Sequence, residues 1–166
     1  MRVAGRTILL ATVLILCGGL LAGDPSPEVE IAEFDGHRYQ LFDDVEDLSW
    51  QGARDRCVEA GGHLVVIDRE AEFEFIASLC DGRYMYLGAS DADEEGLWTW
   101  VDGTEWAFER WMKGQPNNYG GGEDFLATYK GGEWVDVEAS GGGFWMPTGY
   151  ICEWDELPTS DSGAGS

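Results

Sequence analysis

The amino-acid sequence predicts an α+β fold, in which two helices pack on small antiparallel sheets and one long loop region has no regular pattern. Three observations carry this expectation. Helical periodicity is confined to residues 49–80, where apolar side chains recur every three or four positions. From Tyr84 onward the chain reads as short apolar stretches separated by glycine and aspartate turn signals. Between Val101 and Phe125 neither period is present, and loops of that length are uncommon in compact domains unless they serve a function or a ligand holds them.

The elements follow in chain order. His37-Arg38-Tyr39-Gln40-Leu41-Phe42 alternates as a first strand. Ser49 is placed to cap a helix that carries Trp50, Ala53 and Cys57 on one face and stops at Gly61-Gly62. Leu64 to Ile67 is a short buried strand. Asp68 is the expected cap of a second helix, with Glu70 and Glu72 in its first turns and Phe73, Ile76 and Cys80 on its inner face. Tyr84 to Gly88 and Leu97 to Val101 read as strands. Phe125 to Tyr129 and Glu133 to Val135 face each other across Lys130-Gly131-Gly132, a hairpin signal, and Tyr150 to Trp154 closes the domain. His63 is expected to satisfy a backbone group at the turn after the first helix. Trp98, Trp100, Trp106, Trp134 and Trp154 are expected core and loop anchors, with Trp111 and Pro116 also pinning the loop.

At 166 residues with 44% apolar content, the chain has room for one domain with a core of its own. Arg2 and Arg6 precede an apolar run, Ile8 to Leu16, that ends in small residues near Ala22 and Gly23. Residues 1–23 therefore read as a secretory signal peptide, the run being too short and glycine-broken for a stable membrane span. Lipid anchoring at Cys17 is the rival reading. A secreted or periplasmic location follows, with residues 24–33 as an acidic, Pro-containing spacer, residues 34–156 as the domain and residues 157–166 as a flexible tail. Without Arg2 and Arg6 the 10 basic residues fall to 8 against 32 acidic ones, a net charge of −24. Such a surface repels nucleic acid and anionic lipid and excludes both as partners. In an oxidising compartment Cys57, Cys80 and Cys152 allow one disulfide and leave one thiol over.

The residues of greatest chemical interest lie in Gln115 to Asp136, QPNNYGGGEDFLATYKGGEWVD. Asn117, Asn118, Glu123, Asp124 and Asp136 are all hard oxygen donors on a glycine-rich backbone, the composition that suits Ca²⁺ and equally that of a solvated turn. The order of its blocks, Gln115-Pro116-Asn117, Glu123-Asp124 and Trp134-Val135-Asp136, resembles the sugar-binding loop of C-type lectin domains. Cys57 with Gly61-Gly62-His63-Leu64, Tyr86-Leu87-Gly88-Ala89 and Ile151-Cys152-Glu153 resemble three further family blocks in the family's order. The resemblance covers Phe34 to about Asp155.

That resemblance implies a C-type lectin-like fold, with the loop region as a calcium-binding one and a disulfide joining Cys57 to Cys152, so that Cys80 is free and buried. It implies one calcium held by Gln115, Asn117, Glu123 and Asp136 around a cis Pro116, with sugar hydroxyls completing the shell. Gln115, Asn117 and Glu123 would also hydrogen-bond the sugar, and Tyr119 is the aromatic residue placed to stack on it. A second calcium, seen in part of the family, maps to Asp91, Glu95, Asn118, Glu123 and Asp124. Three departures bear on this. Val135 stands where the family has a ligating Asn. Gln115 is neutral where mannose-type loops have Glu, beside an Asn117 of the mannose type. Phe125 and Ala139 lie near the positions of the family's inner disulfide. The expected partner is a glycan of unresolved class, or a protein ligand if the site serves structure alone. A glycoside hydrolase with two of the many carboxylates is a third class, but no carboxylate sits in a recognisable catalytic motif and no enzymatic activity is expected.

Overall fold

The computed structural model describes residues 31–140 and 146–155. The signal-peptide reading, Cys17, most of the spacer, Gly141 to Gly143 and the tail fall outside these residues. The strands are β1 (Ile31–Phe34), β2 (His37–Phe42), β3 (His63–Leu64), β4 (Met85–Ser90), β5 (Thr99–Trp100), β6 (Phe125–Thr128), β7 (Trp134–Val137) and β8 (Gly149–Trp154). The helices are α1 (Trp50–Glu59) and α2 (Glu70–Cys80). The strands join into one sheet in the order β1-β2-β8-β4-β6-β7, with β3 added beside β8 and β5 beside β4. The sheet is mixed, because β4 and β8 run parallel at its centre while the other pairings are antiparallel.

Ser49 caps α1 as expected, its hydroxyl accepting the Gly52 N–H at 3.1 Å. The second helix departs from expectation. Arg69, not Asp68, is the residue before its first turn, and its side chain makes no cap. The Asp68 carboxylate instead pairs with Arg69, and Glu72 reaches back to accept the Asp68 N–H at 3.3 Å. Glu72 is thereby buried rather than solvated, and it also accepts the Tyr39 hydroxyl at 2.6 Å. Burial raises both groups above their ordinary titration ranges.

The strand expected over Leu64 to Ile67 is regular only at His63–Leu64. Val65 to Ile67 are buried, but their backbone is satisfied by unlike partners: Val65 N–H by the Ile151 carbonyl, and Val66 N–H by the Glu153 carboxylate. The strand expected over Leu97 to Val101 shrinks to Thr99–Trp100, and Val101 N–H goes to the Gly88 carbonyl. At the start, Ile31 to Glu33, read from sequence as spacer, pair with β2. Gly88 is where backbones approach closely, since a Cβ there would lie 2.5 Å from the Leu64 carbonyl oxygen.

Cys57 and Cys152 form the expected disulfide, joining α1 to β8 across a sequence separation of 95, and Cys80 is a buried free thiol. Burial pushes the Cys80 thiol up to about 11. At the positions of the family's inner disulfide, Trp50 braces the same region. Its backbone N–H donates to the Ala139 carbonyl at 2.9 Å, its indole donates to the Leu87 carbonyl at 2.8 Å, and its ring lies 4.9 Å from that of Phe125.

Candidate functional site

Residues 101–124 carry no strand or helix, and tryptophan holds them in place. The Trp106 ring lies 4.9 Å from Trp100, 5.6 Å from Trp134 and 5.9 Å from Trp98, while Trp111 sits 5.0 Å from Trp98. Trp111 bridges to Trp134 at the start of β7, with Trp134 N–H donating to the Arg110 carbonyl at 2.8 Å and Met112 N–H to the Trp134 carbonyl at 2.9 Å. The loop thus departs from a fixed point on β7, three residues before Gln115.

Gln115-Pro116 is a cis peptide. Beyond it, one carboxylate oxygen of Asp136, Oδ2, accepts the N–H groups of Asn117 at 2.8 Å and Asn118 at 2.5 Å. Asn117 donates its amide to the Gln115 side-chain oxygen, so those two side chains meet in front of Asp136. Glu123 accepts the Tyr119 N–H at 2.7 Å and gives its own N–H to the Asn118 amide oxygen at 3.2 Å, closing the glycine turn. Asn118 also reaches Glu95 through its amide nitrogen. Asp91 gives its N–H to the Asp124 carbonyl and accepts the Gly96 N–H at 2.8 Å. Gln115, Asn117, Glu123 and Asp136 therefore line one depression, and Asn118 links it to Asp91, Glu95 and Asp124 alongside.

Two atoms decide what this cluster can do. Asp136 and Asp91 are only 2% and 4% exposed, and in each the Oδ1 atom is buried with no hydrogen-bond partner. A buried charged oxygen left unpaired is costly, by roughly 1–3 kcal/mol or more. One such atom falls in each of the two clusters that the loop motif marks out. The donor set is carboxylate and amide oxygen throughout, which fits a hard divalent cation of the Ca²⁺ class. The electrostatics agree in sign. Burial raises Asp91, helped by Asp124 and Asp136 against the Gly96 N–H. Burial raises Glu123, with Asp136 and Glu138 adding to it against the Tyr119 N–H, and Glu95 is raised as well. These are carboxylates crowded by like charge, and a cation would relieve them.

Tyr119 is 79% exposed at the tip of the turn, open to stacking on a ligand. Val135 is buried and adjoins Met112, Val137 and Met146, which floor a cavity of about 460 Å³ beside Gln115 and Asn117. The apolar floor was not read from the sequence. Met112 and Met146 lie outside every motif, and only the fold brings them under the loop.

Two helices packed with one mixed sheet, a disulfide between the first helix and the last strand, and an oxygen-rich loop pinned on β7 are the features of a C-type lectin-like fold. The family model of the Lectin C-type domain matches residues 46–153, and the chain belongs to that family. The chain is 33% identical over 122 residues to hepatic lectin of Gallus gallus, covering 72% of this chain and 56% of that protein. It is 38% identical over 113 residues to C-type lectin domain family 10 member A of Homo sapiens, covering 64% of this chain and 34% of that one. The chain thus spans only part of the length of these relatives, 56% of the first and 34% of the second. Among solved structures it resembles the cow C-type carbohydrate-recognition domain of CD23 in the presence of a GlcNAc2Man3 oligosaccharide. The TM-score there is 0.68 at 27% identity, over 78% of this chain and 95% of that one. It also resembles the mouse scavenger receptor C-type lectin carbohydrate-recognition domain, with a TM-score of 0.67 at 26% identity over 80% and 98% of the two chains.

Proposed function

We propose that the protein is a calcium-dependent lectin domain that acts outside the cell and binds glycan hydroxyls at the loop. The observation that carries the reading is the unpartnered Asp136 Oδ1, buried beside Gln115, Asn117 and Glu123. Calcium there would supply a Lewis-acidic centre on which two vicinal hydroxyls complete the oxygen shell. Gln115, Asn117 and Glu123 would hold the ion and accept or donate hydrogen bonds to the same hydroxyls. Asp136 has a double role, presenting Oδ1 inward while its Oδ2 fixes the loop through Asn117 and Asn118. Asp91, Glu95, Asn118 and Asp124 would hold a second ion that stiffens the turn, with Asp91 Oδ1 as its buried donor. The domain's relatives are lectins, and no enzymatic activity is assigned to its carboxylates. The signal-peptide reading of residues 1–23 supports release from the cell.

The test is a thermal melt of the protein against calcium, with a chelator control, followed by a glycan screen in both conditions. A calcium-dependent rise in Tm together with chelator-sensitive glycan binding is expected. A flat melt across millimolar calcium would overturn the reading.

A second reading is favoured by one residue. Val135 is 3% exposed and packed in the apolar cluster with Val137, so β7 presents no amide where the family has a ligand. The loop would then be a protein-contact surface with calcium as a structural ion or none. Glycan binding that is absent while a calcium-independent protein partner is captured would favour it.

A further inference from the structure

We propose that the protein carries a site for a borderline transition-metal ion of the Zn²⁺ class where β2, β3 and β8 meet, formed by His37, Glu153 and Asp155 and oriented by His63. The topology makes the juxtaposition. On β8, Glu153 is opposite Tyr39 of β2 and also opposite His63 of β3, and Trp154 is opposite Arg38. His37 is therefore carried to the level of Asp155. Glu153 on β8 and Asp155 just past its end are thus flanked by two strands that each bear a histidine, His37 on β2 and His63 on β3.

His37 Nδ1 lies 2.8 Å from Glu153 Oε1 and 3.6 Å from Asp155 Oδ1. Those three ligand atoms all lie within 4.8 Å of one another. Donors on a tetrahedral ion with bonds of about 2.1 Å are about 3.4 Å apart, so the two histidine distances bracket the required spacing. Two of the three ligands, Glu153 and Asp155, are oriented from behind, as metal ligands generally are. The other oxygen of Glu153 accepts the Val66 N–H at 2.9 Å, which leaves Oε1 aimed at His37. His63 Nε2 lies 3.0 Å from Asp155 Oδ1, and its Nδ1 lies 2.9 Å from the Leu64 carbonyl. His63 is held by the Leu64 carbonyl on one side and Asp155 on the other, so it acts as a strut that fixes Asp155 rather than as a ligand.

Charge supplies a separate argument. Glu153 is 2% exposed and Glu72, 3% exposed, adds like charge to it. The carboxylates of Glu153 and Asp155 face His37 and His63, while Glu72 pairs with Tyr39 and Arg69, and a divalent cation between the two acids would offset their charge. The nitrogen donor selects the class of ion. An imidazole with carboxylates suits Zn²⁺ over Ca²⁺, which takes oxygen alone.

Calorimetric titration of the purified protein with zinc chloride in excess calcium tests the site. One zinc equivalent is expected. His37→Gln and Asp155→Asn, both at partly or fully exposed positions, should each weaken it by at least about tenfold, and His63→Gln by about tenfold. Their zinc-free melting temperatures should stay near that of the parent, and Asp136→Ala should bind zinc as the parent does. Cobalt in place of zinc should give visible absorbance without a thiolate charge-transfer band, because Cys80 is not a ligand. The proposal is overturned if no saturable equivalent binds. It is equally overturned if zinc binding survives His37→Gln, or if it vanishes in Asp136→Ala, which would place the ion in the loop.

Discussion

Asp136 Oδ2 accepts the backbone N–H of Asn117 at 2.8 Å, so a carboxylate on β7 dictates where the segment after the cis Gln115-Pro116 bond sits. Because that oxygen is committed to the loop backbone, Oδ1 alone is left for an ion. Asp136→Asn preserves an acceptor for the loop N–H groups and removes the charge. The calcium-dependent rise in Tm should disappear in this variant while the metal-free protein stays folded. A parent stabilisation of roughly 2.7 kcal/mol is expected at calcium 100-fold above Kd, and calorimetric melts of both proteins measure the difference.

Val135→Asn restores an amide beside Gln115, Asn117 and Asp136. Calcium or sugar affinity should rise, at a cost in stability because a buried apolar position on β7 becomes polar, about 1–3 kcal/mol if the amide finds no partner. The pairing of a lower Tm without calcium and a steeper calcium response is the expected signature. An unchanged affinity would mean that the floor at this position has no bearing on the ion.

The raised pKa values of Asp91 and Glu123 set a pH dependence. A carboxyl whose folded pKa exceeds its unfolded one binds more protons when native, so its contribution to stability is present below the unfolded pKa and lost as pH rises through the folded one. In chelator, this pair should therefore lower stability progressively as pH rises from about 4, the ordinary carboxylate range. Calcium needs the same groups ionised, so its stabilisation should grow across that window. Melts of the parent and of Asp91→Asn across pH isolate the effect, and the slope in chelator should be shallower in the variant.

Gly88→Ala places a Cβ 2.5 Å from the Leu64 carbonyl oxygen and 2.8 Å from that of Val65. Both contacts are with backbone, so β4 and the β3 segment must separate. A loss of several kcal/mol or failure to fold is expected, read by denaturant unfolding.

Much of this was legible in the sequence, for identifiable reasons. The oxygen donors of the loop stand in a fixed order with fixed spacing, so Gln115, Asn117, Glu123 and Asp136 could be named together, and they line one depression. Cys57 and Cys152 followed from the same blocks. Glu72 could not be read correctly, because an acid in the first turn of a helix is ordinarily solvated, and only Tyr39, 33 residues away, shows that it faces inward. The strand over Leu64 to Ile67 was overextended because burial and apolarity do not reveal that Val66 spends its N–H on a glutamate side chain. His63 does contact a backbone carbonyl, as expected, but its second partner, Asp155, is 92 residues distant and invisible to local pattern.

The indole cluster that pins the loop also makes the protein its own optical reporter. Trp106 and Trp111 belong to the irregular segment, whereas Trp100 and Trp134 belong to strands, and their rings lie 4.9 to 6.2 Å apart in contacting pairs. Transitions of rings so close and held at fixed angles couple, giving near-ultraviolet circular dichroism that an isolated indole lacks. If chelation loosens the segment, that dichroism fades while the far-ultraviolet signal of the sheet and helices persists. Ordering of the loop can thus be followed without label or added probe.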